Sequence, residues 1–155
     1  MLTLADIGFE APRALLARYK LDLIQVDINE SIPGTFWGGR EAGVIGHTVY
    51  ARLDTPIHSL LHEAGHLIVL PEEKRRLVHT DASDSVAEED AVCVLQALLG
   101  DQLPGVGKEQ IWADMDEWGY TFRLGSAKAY FEKDACEAFA FLMAQGLMNA
   151  EQQLL

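Results

Sequence analysis

The sequence predicts an α+β fold: an N-terminal helix and a small antiparallel or mixed sheet packed on a central amphipathic helix, with further helices behind it. Three observations carry this reading. Residues 10–20 and 56–69 repeat their apolar side chains at intervals of three and four. Residues 21–28 and 47–53 alternate at period two, with turn chemistry between them. From residue 85 onward the chain reads as helices separated by short loops.

Taken in order, residues 10–20 place Pro12 near the start and Leu15, Leu16 and Tyr19 on one face, as an amphipathic first helix requires. In residues 21–28, Leu21, Leu23, Ile24, Val26 and Ile28 follow period two with one slip and predict a half-buried strand. Pro33-Gly34 and the glycine-rich stretch 38–43 bracket two short strand candidates, 35–37 and 44–45. Residues 47–53 then complete an antiparallel meander. Thr55 is the expected N-cap and Pro56 the first residue of a helix that runs to Val69 and stops before Pro71. Residues 72–84 are polar and predict a loop. Ser85 and Glu88 have the form of a capping box, opening a very apolar helix that ends at Gly100. Residues 102–107 read as a loop, 108–118 as a helix, 120–124 as a short extended or turn piece, and 126–148 as one long helix.

The 155 residues suit a single domain, and 24 Asp+Glu against 12 Lys+Arg give a formal charge of −12. That balance repels a phosphate backbone, and the one basic run is Lys74-Arg75-Arg76, so nucleic-acid binding is not expected. Cys93 and Cys136 are too few for a disulfide framework and read as buried or half-buried thiols of a reducing compartment. The N-terminus lacks the basic and apolar regions of a secretory signal, and no apolar run approaches a membrane span; a cytoplasmic protein without a membrane partner is expected.

His62-Glu63-Ala64-Gly65-His66 is an H-E-x-x-H motif in the middle of the helix 56–69. At that spacing both imidazoles stand on one face, a turn apart, and reach a single ion. Glu63 adjoins the first ligand, where a carboxylate can act as the general base of a zinc hydrolase. A chance match is expected in about one chain in a hundred of this composition. The apolar neighbours Leu60, Leu61, Leu67 and Ile68 argue further against an exposed His/Glu face, because buried imidazoles need partners for their ring nitrogens.

A hydrolytic zinc takes three protein ligands and keeps one position open. Glu72 stands six residues beyond His66, so the compact H-E-x-x-H-x-x-G-x-x-H arrangement is absent. The third ligand then comes from further on, and His79, Glu88, Glu89 and Asp90 are the candidates. With Ala91, Leu95 and Leu98 as the apolar face of the next helix, Glu89 falls almost opposite, beside Gln96, on a side expected to be solvated. Glu88 lies near the apolar face with a competing capping role and Asp90 lies on the flank, and periodicity does not separate these two.

Residues 62–68, preceded by the strand 47–53, resemble the ImmA/IrrE-type zinc metallopeptidases, whose motif is followed by a helix of the pattern E-x-E-A-x-x-F-A-x-x-L-L. Residues 88–99, Glu88-Glu89-Asp90-Ala91-Val92-Cys93-Val94-Leu95-Gln96-Ala97-Leu98-Leu99, match that pattern in register. The resemblance covers about residues 10–100, which it makes the catalytic part, with 101–155 as a C-terminal helical part. It implies a zincin-like fold with a ligand helix and one Zn2+ held by His62, His66 and Asp90, with Glu63 as general base. It also implies a narrow protein or peptide substrate rather than general digestion. The departure is Asp for Glu at residue 90, shorter by one carbon–carbon bond of about 1.5 Å.

The function expected is therefore a zinc-dependent metallopeptidase; the alternative is a catalytically weak or inactive zincin-fold regulatory module that binds protein, and a hydrolase of non-peptide bonds ranks third. Elsewhere, His58 reads as a solvent-facing helix residue, and His79, Asp81 and Asp84 as a solvated acidic loop. Trp37 reads as core and Tyr50 as strand packing. Trp112, Trp118, Tyr120, Phe122, Tyr130 and Phe131 are expected to form a C-terminal core. Five of the 24 acids fall between Asp81 and Asp90, beside the expected site.

Overall fold

A computed structural model describes residues 1–35, 38–79 and 85–155, and in them eight helices and one three-stranded mixed sheet make an α+β protein. The chain divides into two compact units, Met1–Ala82 and Ser83–Leu155. The division precedes the second motif helix.

The first unit opens on α1 (Leu4–Ile7), a single turn too short to show a period in the sequence. Thr3 and Asp6 form its capping box, with the Thr3 amide donating to Asp6 Oδ2 at 2.8 Å. Helix α2 (Glu10–Ala17) buries Pro12, Leu15 and Leu16. Strands β1 (Asp22–Gln25), β2 (Gly43–Ile45) and β3 (Thr48–Ala51) pair in the order β1-β3-β2. The expected antiparallel meander is thus corrected: β2 is antiparallel to β3, but β1 runs parallel to it. The long connection between β1 and β2 allows this, since parallel pairing needs a crossover and a tight turn cannot supply one. Leu23, Val49 and Val44 stand in one cross-strand row, 4%, 0% and 0% exposed, and their burial sets the register. A Cβ on Gly43 would lie 1.8 Å from the Pro33 carbonyl oxygen, so only glycine allows β2 this close to the preceding turn. Of the strand candidate 35–37, Thr35 belongs to no strand, and Phe36 and Trp37 lie outside the described residues.

Helix α3 (Ile57–Val69) packs on β2 and β3. Its N-cap is Pro56, not the expected Thr55. The Thr55 hydroxyl is otherwise engaged, accepting from the Arg52 amide at 2.9 Å to close the turn before the helix. At the far end Leu70 is extended, as the residue before Pro71 must be. The expected loop then contains a turn of helix, α4 (Glu72–Arg75), which returns Arg75 to the end of α3. Arg75 Nε donates to the Leu67 carbonyl at 2.6 Å and Nη2 to the Ile68 carbonyl at 3.4 Å, placing a cation at the negative end of the helix.

The second unit contains α5 (Val86–Asp101), α6 (Gly107–Trp118), α7 (Ala127–Lys133) and α8 (Cys136–Ala144), with α6 and α8 packed on α5. The Ser85 hydroxyl caps α5, accepting from the Glu88 amide at 3.1 Å. The single helix expected over 126–148 is two. Asp134 leaves helical geometry at φ −133, its carboxylate forked by Arg123, and Phe131 meets Phe139 edge to face across the break with centroids 5.2 Å apart. Trp112 and Phe131 are core, but Trp118 is exposed and Tyr120, Phe122 and Tyr130 are half-buried, so the expected aromatic core is smaller. Cys93 is buried; Cys136 is exposed, against expectation. No helix among the described residues is long and apolar enough to cross a membrane.

Candidate metal centre

Eleven of the thirteen residues of α3 are buried, and the two that keep solvent contact are His62 and Glu63. The apolar face alone would not produce this pattern. Ile57, Leu60, Leu61, Ala64 and Leu67 are each 0% exposed, but His58 and His66, on other sides of the helix, are only 1% and 4% exposed. The helix is enclosed all round and opens at the motif.

The Nε2 atoms of His62 and His66 stand 3.1 Å apart, with rings nearly perpendicular at 85°. At zinc–nitrogen bonds of about 2.05 Å, nitrogens at that separation subtend about 98° at one ion, close to a tetrahedral angle. The imidazole pair therefore fits a shared divalent ion. Glu63 is half-buried on the next position of the same turn.

His58, one turn before His62, is buried and not solvent-facing as its position suggested. Burial pushes its imidazole down to about 3, and the charges of His62 and Arg40 act in the same direction, so it is neutral throughout the physiological range. Sequence reasoning singled out this residue but placed it in solvent. The signal was present in the apolar residues on either side of the motif, which implied burial beyond a single stripe.

His79 lies in the first unit, exposed, bridged to Ile45 of β2. Asp81 and Asp84 are outside the described residues. In the second unit Glu88 and Glu89 are half-buried in the first turn of α5. The solvated side expected for Glu89 and Gln96 does not exist at Gln96, which is 0% exposed with its Nε2 donating to the Tyr120 hydroxyl at 3.4 Å. Asp90 is accessible to solvent on an open cavity of about 460 Å3, which Tyr130, Asp134 and Glu137 also line. Partial desolvation pushes the Asp90 carboxyl up, and Glu89, Asp134 and Glu137 push the same way. Tyr50 is a half-buried residue of β3, paired with Ile24 and Gly43.

No protein-family model matches the chain, and no curated protein or solved structure does either.

Proposed function

We propose that this protein is a zinc-dependent metallopeptidase of zincin-like fold, acting in the cytoplasm on a specific protein or peptide. The observation that carries the proposal is the convergence of His62 and His66 Nε2 atoms on a helix that opens to solvent only at His62 and Glu63. His62 and His66 are two metal ligands. The third is a carboxylate near the start of α5: Asp90 by the register of the ImmA/IrrE-type pattern, with Glu88 its alternative and Glu89 readmitted because the helix side it shares with Gln96 is buried. A zinc ion there supplies Lewis acidity toward a peptide carbonyl and lowers the pKa of water. Glu63 takes a proton from the attacking water and returns it to the leaving amine. The buried surroundings of His66 hold its imidazole in place, while His62 and Glu63 keep contact with solvent.

The test combines metal analysis with a peptide-library cleavage screen. Protein purified without chelator is expected to carry stoichiometric zinc, lost in His62→Ala; Glu63→Gln is expected to keep the zinc and lose cleavage. Asp90→Ala, Glu88→Ala and Glu89→Ala decide among the three carboxylates by which of them lowers zinc content. A metal-free wild-type protein overturns the proposal. The short Asp90 side chain favours a second reading, a regulatory module without turnover. That reading predicts capture of a partner with equal yield from wild type and Glu63→Gln, and no cleavage by either.

A further inference from the structure

In the first unit a small cavity of about 250 Å3 is lined by Lys20, His47, Glu72, Arg75 and Arg76. In a chain of formal charge −12, three of the 12 Lys+Arg side chains surround this one space with a single carboxylate among them. That carboxylate is already engaged, since Lys20 Nζ lies 3.2 Å from Glu72 Oε2. His47 pairs with Asp22 at 3.2 Å. Arg75 is only 7% exposed, and its hydrogen bonds go to three carbonyl oxygens, those of Leu67, Tyr19 and Ile68. These carbonyls orient the guanidinium, and its charge is shared with Glu72, the carboxylate that Lys20 also holds, so an added anion would be a second partner. Two of its five N–H groups remain for such a partner. Arg76 adds a second, exposed guanidinium to the same lining. Lys20 holds φ 63, where a side chain costs about 1 kcal/mol and glycine or asparagine would be relaxed, so the backbone carries strain at the residue that brings an ammonium to the rim.

We propose that this cavity binds a phosphate-class oxyanion, either free or as the phosphoryl group of a small metabolite. Two guanidinium groups and an ammonium offer donors from more directions than the two oxygens of a planar carboxylate can use, and a tetrahedral oxyanion uses them. The volume is smaller than the roughly 300–1,000 Å3 of sites for drug-sized ligands and suits a compact anion.

Isothermal titration of the full chain with inorganic phosphate, and separately with glycerol phosphate, tests this against sodium chloride at equal ionic strength. Saturable one-site binding of at least one probe is expected, weakened about tenfold by Arg76→Ala and by Lys20→Ala, with the circular dichroism of both variants unchanged. The stronger probe identifies the physiological form, free phosphate or phosphate ester. An absence of saturable binding with both probes overturns the proposal, as do affinities that the two substitutions leave unchanged.

Discussion

His58 occupies the turn of α3 before the convergent histidines, and its environment makes it a sensor of the unfolded state. Buried and faced by His62 and Arg40, it has a folded pKa of about 3, against about 6.5 in an unfolded chain. The sign follows from proton counting. Above pH 6.5 neither state binds the proton; between 6.5 and 3 the unfolded chain takes it up and the folded chain does not, so stability falls as pH falls through that window. From pH 7 to pH 5 the loss attributable to this residue is roughly 2 kcal/mol. Urea unfolding of wild type and His58→Gln at both pH values, with chelator present so that bound metal contributes to neither protein, measures it. The variant should lose less stability between the two pH values by about that amount; identical losses would show that the imidazole is protonated inside the folded protein.

At the scale of elements, the closest approach at a glycine in the second unit is that of α5 to α6 at Gly100. A Cβ there would lie 2.5 Å from Ile111 Cγ1, and Ile111 is 0% exposed with no free space to yield. Replacing a helical glycine by alanine gains about 1 kcal/mol in propensity, while overpacking a closed core costs about 1–3 kcal/mol, so the clash prevails. Gly100→Ala is expected to lose about 1 kcal/mol in chemical denaturation, and a more stable variant would mean that the helices separate without cost. The sequence announced Gly100 as the end of a helix and gave no sign of this packing role, because contact between elements is not a local property. The same division runs through the rest of the fold. Helices α3 and α5 were legible from Leu60, Leu61, Ala64 and Leu67 and from Ser85 with Glu88, since period and cap are local. The parallel partner of β1 was not, because Leu23 chooses Val49 through burial shared with Val44 across the sheet. Nor was the break between α7 and α8, where Asp134 leaves helical geometry and meets Arg123 from eleven residues away. At the candidate centre the pair His62 and His66 with Glu63 was legible as a motif, whereas the buried sides that hold His58 and Gln96 required tertiary packing.

For the whole molecule the dominant electrostatic quantity is the formal charge of −12. Two effects of salt then oppose each other. Screening weakens the ion pairs Lys20–Glu72, Lys128–Glu109 and Arg123–Asp134, but each has at least one partner more than half exposed, and such pairs contribute about 0–1 kcal/mol. Screening also weakens the repulsion among 24 acids compacted by folding, which acts over longer distances and opposes the compact state. The Debye length falls from about 30 Å at 0.01 M to about 8 Å at 0.15 M, so the added salt removes mainly the long-range part, which is repulsive here. Sodium chloride raised over that range at pH 7 should therefore increase the thermal midpoint, by about 2–4 °C if the net gain is about 1 kcal/mol. The salt must be chloride, because phosphate would add its own stabilisation through the cavity at Arg75 and Arg76. A midpoint that falls with sodium chloride would show that the exposed ion pairs outweigh the repulsion of the acidic surface.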